Sequence, residues 1–385
     1  MIFKILKWIV GSIIVLVIVV ILGLLFTNNL YILKAVRTVY LTGHKSAFIE
    51  DYTYFDNRKI EVGTPKPWAK SEAYNTAVMT PSLDSVHQSN QSIAYLIIKN
   101  DSIWYEKYFE GFNEQSLTNS FSMAKSVTGA LLGKAIELGY IKSIDEKVKS
   151  YLPELKGEYA DQVTIRDLVT MRSGLQWDES YYSPFSITTK AYFYNNLSEA
   201  MLDLPINSMP NEKFKYQSGD TQLLAMVLSK ALPMTLSEFL SEYFWKPMGA
   251  EHEALWQYTT ADGVEKAYCC IASNARDFAR FGKLYRDLGS WNGAQLLDTS
   301  YVKTSINPAA ENSPYYGYAW WLSNYKDKKV ITMDGHLGQF VITIPEDNLI
   351  IVRLGHKHDR LGKENEKGAF YHYIDEAYKM INDKE

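Results

Sequence analysis

Cysteine is nearly missing from this chain: its 385 residues hold two, side by side at Cys269 and Cys270. Neighbouring cysteines cannot staple distant segments, which excludes a disulfide framework, and no Cys-x-x-Cys pair signals zinc or a redox centre. Packing as buried thiols is the expectation for the pair, since a bond between them would strain the backbone. Basic charge is also scarce. Forty Lys and Arg against 44 Asp and Glu leave a net charge of −4, without the basic footprint of a nucleic-acid binder. Twelve prolines and 22 glycines are too few for a fibrous or low-complexity chain. Apolar residues are plentiful, at 46%, with 14% aromatic. Such a chain can bury enough surface to fold, which excludes disorder. Its length exceeds one comfortable core and predicts two lobes.

Long apolar runs are confined to the N-terminus. Lys4 and Lys7 precede an uncharged stretch from Trp8 to Leu33, densest up to Phe26. As a helix, residues 8–26 span about 28 Å, which matches the hydrocarbon thickness. A cleaved leader has a shorter apolar core and small residues at the cut, whereas Leu24-Leu25-Phe26 stand here. A retained single-pass anchor is the expectation, with cleavage as the alternative. Lys34, Arg37 and Lys45 follow the run, so counting basic residues does not orient it. The very short N-terminal tail favours a tail held inside and a domain exported to the periplasmic or extracellular side. Leu30 to Leu41 reads as an amphipathic helix on the outer leaflet or as a plain stalk.

Three segments follow: anchor and juxtamembrane helix over 1–45, a lead-in with little regular structure over 46–90, and a domain over 91–385. Ser92–Lys99 and Ser102–Phe109 form a hairpin about Asn100-Asp101. Strands recur near the C-terminus at Tyr318–Leu322, Val330–Met333, Gln339–Ile344 and Asn348–Leu354, before a helix over Gly368–Ile381. Between them the periodicity is helical: Ser122–Leu138 with Gly139 as its stop, a helix opening at Val163–Asp167, then Thr221–Ala231, Ser237–Phe244 and Ala275–Leu288. The expected fold is α+β, an antiparallel sheet built from both chain ends, flanked by helices, with a mostly helical insert over about 140–270.

Chemistry concentrates at three places. Ser122-Met123-Ala124-Lys125 opens the first long helix, and residues three apart share a face, so the amine reaches the hydroxyl. Asn119 and Ser120 precede it as caps. Two other Ser-x-x-Lys matches, at Ser300 and Ser323, lack a long helix and read as surface. Tyr216-Gln217-Ser218 stands before the helix at Thr221. His336-Leu337-Gly338-Gln339 enters a C-terminal strand.

In that order, and with the stretches SMAKSVTGALLGKAIELGYI, DEKVKSYLPEL, TIRDLVTMRSGLQW, FKYQSGDTQLLAMVL and SNARDFARFGKLYRDLGSWNGAQLL, residues 80–382 resemble the serine β-lactamase and penicillin-binding-protein superfamily. The likeness is strongest to its class C branch, on the side of the 6-aminohexanoate-dimer hydrolases and esterases. The resemblance implies a Ser122 acyl-enzyme with Lys125 and Tyr216 sharing the base and acid roles, since a serine hydroxyl needs an adjacent base. Which of the two is the base stays open: an ammonium beside Tyr216 favours phenolate, while burial favours a neutral amine. It also implies an oxyanion hole from the backbone N–H groups of Ser122 and Gln339, with Gly338 leaving room for substrate along the strand. No metal or organic cofactor is implied. The expected ligand is a small amide or ester.

Departures refine this. His336 stands where penicillin-recognising members have lysine, which removes a permanent cation for a substrate carboxylate. Ser218 stands where class C enzymes have asparagine. A loop from Trp177 through Tyr181 to Tyr194 is a candidate substrate lid, with Trp177 and Tyr181 as substrate contacts. Two alternatives remain: a penicillin-binding D,D-peptidase or weak β-lactamase, and a catalytically silent binding or sensor domain of the same fold. A Ser-His-Asp arrangement through His336 and Asp334 lacks the Gly-x-Ser-x-Gly elbow. His356-Lys357-His358-Asp359, in a loop running to Glu366, shows no complete metal-ligand spacing.

Overall fold

The two halves of the main sheet come from opposite ends of the chain. The computed structural model describes residues 1–358 and 368–383. Two N-terminal helices, α1 (Ile2–Phe26) and α2 (Tyr31–Thr38), precede the domain. The hairpin β1 (Ser92–Lys99) and β2 (Ser102–Tyr108) follows, then helices α3 (Met123–Glu137), α4 (Ser218–Ala231) and α5 (Ala275–Arg286). Strands β3 (Trp321–Tyr325), β4 (Lys328–Gly335), β5 (Gln339–Ile344) and β6 (Leu349–Gly355) lead to α6 (Ala369–Asn382). The sheet order is β3-β4-β5-β6-β1-β2, with Ala69–Lys70 as a seventh strand at the edge. All pairs are antiparallel except that last one. Ile351 faces Ile97 and Val352 faces Leu96, so the chain's extremes meet at the sheet centre. The β1–β2 turn has Asn100 and Asp101 at φ 48° and 63°, the pair of positive values that a two-residue hairpin turn requires.

Seven successive residues of β1 are buried, from Ser92 to Ile98, because both sheet faces are covered. Tyr95 and Ile97 meet Tyr373, Ile374 and Ala377 of α6 on one side. Leu96 and Ile98 meet the core holding Phe278 and Phe281 of α5 and Leu131 of α3 on the other. The two-residue period of a strand makes this division.

A second sheet, not foreseen, has the order Asn57–Ile60, Ala254–Gln257, Ile271–Ser273, Thr118–Asn119. The lead-in therefore holds regular structure: one strand here, the edge strand Ala69–Lys70, and the helix Pro81–Ser89 packed against α6. One C-terminal strand is displaced from its expected place, running over Trp321–Tyr325 rather than from Tyr318. Ala319 sits at φ 59°, and its backbone leaves the sheet to accept from Ser126 Oγ (2.6 Å) and donate to Val169 O (3.1 Å).

α1 has 25 residues, mean hydropathy 3.3 over its apolar window and no buried residue. A retained anchor and an export signal share this form. α2 is not a free stalk. Tyr31, Ile32 and Ala35 join the main core, α2 packs against the helix Ile187–Phe193, and the Tyr31 hydroxyl donates to Pro184 O at 3.2 Å.

Candidate active site

Ser122 lies at the mouth of α3, held by the small sheet. The strand Thr118–Asn119 pairs with Ile271–Ser273, the Ser120 N–H donates to Ile271 O (2.7 Å), and the Ile271 N–H donates to Ser120 Oγ (3.1 Å). Asn119 and Ser120 thus brace the turn instead of capping the helix: Asn119 Oδ1 accepts from the Phe121 N–H (3.0 Å), and α3 has no side-chain cap. Phe121 takes φ 45°, a left-handed value unusual for a bulky residue, directly before the nucleophile candidate.

One turn on, Lys125 is buried and has three partners. Its Nζ stands 2.8 Å from Ser122 Oγ, 3.0 Å from Ser218 Oγ and 2.7 Å from Tyr268 O. Burial lowers its pKa to about 8, against the pull of the Glu179 and Asp334 carboxylates. The Tyr216 ring lies 5.1 Å from Nζ, and its hydroxyl hydrogen-bonds Ser122. Burial, then Tyr316, Tyr181 and Glu179, push the Tyr216 phenol well above its ordinary range. Of the two alternatives left open by the sequence, both shifts run toward a neutral amine and a protonated phenol. The two other Ser-x-x-Lys serines lie apart from this cluster. Ser300 is in the short helix Thr299–Ser305 with its hydroxyl on Asp298, and Ser323 is on β3.

Ser218, the first residue of α4, donates its hydroxyl to Glu179 Oε1 at 2.6 Å and its backbone N–H to Oε2 at 2.7 Å. Trp177 Nε1 and the Tyr181 hydroxyl also donate to Glu179, each at 2.6 Å. Trp177 is consequently not a pocket contact: it is 3% exposed and packs behind the site as a prop for that carboxylate. Tyr181 does face the pocket, its ring stacked on His336 with centroids 4.9 Å apart. His336 also meets the Phe121 ring edge-on and has Nε2 3.4 Å from Ser46 Oγ.

Gly335, at the end of β4, lies so close to the turn before Ser122 that a side chain there would collide with Ser120 O. Gln339 faces Gly335 across β4–β5, and its buried side chain is tied to His336 O (3.1 Å) and Gly355 O (2.7 Å). Gly338 has φ 77°, which needs glycine, but the space above it is filled by Arg353 and His358 rather than left for substrate. Arg353 was not singled out from the sequence. Fully buried, it donates to Leu337 O (2.8 Å), Gly338 O (2.9 Å), Lys357 O (2.9 Å) and Ser92 Oγ (2.9 Å), and so fixes the whole turn. A buried guanidinium spent on backbone carbonyls is invisible in a local motif.

The narrow, open cavity beside Ser122 is lined mainly by Phe121, Tyr181, Tyr192, Phe193 and Tyr268, with Ser46 and Ala47 completing the wall. Tyr192 and Phe193 come from the expected lid segment. The Tyr268 hydroxyl is buried with no hydrogen-bond partner among the described residues. Cys269 also lines the cavity, and it is bonded to Cys270, so the pair is a disulfide and not two thiols. Among the described residues no cluster of His, Cys, Asp and Glu fits a metal ion. The stretch from Asp359 to Glu366 lies outside the described residues.

An antiparallel sheet closed by both chain ends, with the helix that carries Ser122 and Lys125 packed against it, is a β-lactamase-like α+β fold. The chain belongs to the Beta-lactamase family, whose model matches residues 76–374. It is 24% identical over 303 residues to the 6-aminohexanoate-dimer hydrolase of Paenarthrobacter ureafaciens, across 72% of this chain and 76% of that protein. Protein flp of Staphylococcus aureus is 24% identical over 295 residues, 67% of this chain and 58% of the relative. In three dimensions the chain is similar to a candidate 6-aminohexanoate-dimer hydrolase from Bacillus anthracis, with a TM-score of 0.69, 21% identity and coverage of 86% and 91%.

Proposed function

We propose that this protein is a serine hydrolase that cleaves a small amide or ester through an acyl-enzyme on Ser122, held at a membrane by α1 with the domain on the extracytoplasmic side. The observation that carries the reading is the buried Lys125 amine 2.8 Å from the Ser122 hydroxyl. Its lowered pKa supports a base role, and the raised pKa of Tyr216 supports a proton donor. Ser122 Oγ bonds the substrate carbonyl carbon as its proton passes to Nζ. The oxyanion is met by the N–H groups of Ser122 and Gln339. The leaving group departs with a proton from the Tyr216 phenol, which recovers one from Lys125. Water then repeats the sequence on the acyl ester and frees the acid.

The aromatic lining of the cavity suits a substrate with a compact apolar acyl group. His336, stacked under Tyr181, gives no permanent cation for a carboxylate, which disfavours penicillin-like ligands. The test is intact-mass detection of an acyl adduct across short esters, amides and a penicillin, with the wild type and Ser122→Ala. An ester-derived adduct in the wild type, absent from the variant, is the expected result. Equal turnover by both proteins ends the proposal.

A further inference from the structure

Glu179 reaches Lys125 through a single shared neighbour, Ser218, and no motif contains it. A carboxylate only accepts hydrogen bonds, so all four of its neighbours donate: Trp177 Nε1, the Tyr181 hydroxyl, and the N–H and hydroxyl of Ser218. The Ser218 hydrogen is therefore committed to Oε1, and toward Lys125 the Ser218 oxygen is an acceptor, at 3.0 Å. Tyr268 O, at 2.7 Å, is an acceptor by nature. A neutral amine has two hydrogens and one lone pair. The two acceptors take the hydrogens. The lone pair is left for the third neighbour, Ser122 Oγ.

We propose that Glu179 is a positioning residue: by holding the Ser218 hydroxyl as a donor to itself, it turns the Lys125 lone pair onto Ser122, so that the amine takes the serine proton. The step breaks the Ser122 O–H bond and forms an N–H bond on Nζ. The ammonium that results has an acceptor for each hydrogen: Tyr268 O, Ser218 Oγ and Ser122 Oγ. Without Glu179 the Ser218 hydroxyl is free to donate to Nζ and competes with Ser122 for the lone pair. The charged and titratable groups facing Lys125 are Glu179 from the loop, Asp334 from β4, and the phenols of Tyr216 and Tyr268. This inference rests on the acyl-enzyme reading above and assigns the base within it.

Glu179→Gln and Glu179→Asp separate charge from reach. Glutamine removes one of two carboxylates that favour the ammonium, so the acid-side limb of the kcat/KM profile moves to lower pH. Its amide also lets the Ser218 hydroxyl turn, and a misdirected base lowers the plateau by about 10²-fold. Aspartate keeps the charge but ends one methylene short, so the plateau falls while the limb stays close to that of the wild type. A purely structural role lowers folded yield without moving the limb. If the glutamine variant does not fold, the aspartate plateau decides. Plateau and limb unchanged in both variants, beside an active wild type, overturn this inference alone. A wild type without a Ser122 adduct overturns it together with the acyl-enzyme reading.

Discussion

The sharpest consequence of the site concerns pH. Lys125 is buried among α3, α4 and the Tyr268 backbone, and burial lowers its pKa to about 8 from 10.5. At pH 7 about one amine in ten is then neutral, against about one in three thousand for an ordinary lysine, a gain of roughly 300-fold in the reactive form. Tyr216 stays a phenol over the same range, since its pKa is pushed up. The free-enzyme profile of kcat/KM should therefore rise about tenfold per pH unit below 8 and level off above it, with no fall through the ordinary phenol range because the Tyr216 shift is upward. Product chromatography with a short amide avoids the background hydrolysis of esters. The same amine bears on stability. Between pH 8 and 10.5 the folded chain has already lost this proton while the unfolded chain holds it, so stability rises with pH across that window. The full shift is worth about 3 kcal/mol, and Lys125→Met should remove this component from urea denaturation curves. A rate that is flat from pH 6 to 9, or rises only near 10.5, refutes the burial argument.

Gly335→Ala should force β4 away from Ser120 O, with destabilisation of about 1–3 kcal/mol as expected for an overpacked contact and a loss of activity larger than the loss of folded protein; urea denaturation and active-site titration measure the two. His336→Lys sets an ammonium at the pocket rim in place of the ring stacked on Tyr181, so acylation by a fluorescent penicillin should quicken relative to the wild type, as followed by gel fluorescence over time.

The fold and the reactive pair were legible for different reasons. β1 and β6 read as strands because central strands covered on both faces become apolar runs of the right length. α3 read as a helix because its apolar spacing ends at Gly139, which takes the left-handed φ of 77° that stops a helix. Ser122 and Lys125 were legible because three-residue spacing on a helix is a geometric statement. Partners far apart in sequence were not. Glu179 lies 39 residues before Ser218, and Arg353 lies 15 residues beyond the glycine whose carbonyl it holds. The second sheet is not legible in the sequence because its strands have two to four residues, too few to show an alternation. Trp177 was placed in the pocket by its loop position. Its indole N–H, which needs an acceptor when buried, instead turns it toward Glu179. The direction of the Tyr216 shift is set first by burial and then by Tyr316, Tyr181 and Glu179 converging on the phenol, all products of tertiary packing.

The wall formed by Ser46 and Ala47 changes where a faithful fragment of this protein has to begin. These residues connect α2 to the first strand of the small sheet, and α2 is coupled to the loop behind Tyr181 through Tyr31 and Pro184. A shortened protein starting at Ser92 keeps every motif residue yet loses one side of the cavity beside Ser122. A fragment intended to report native selectivity has to start before Tyr31.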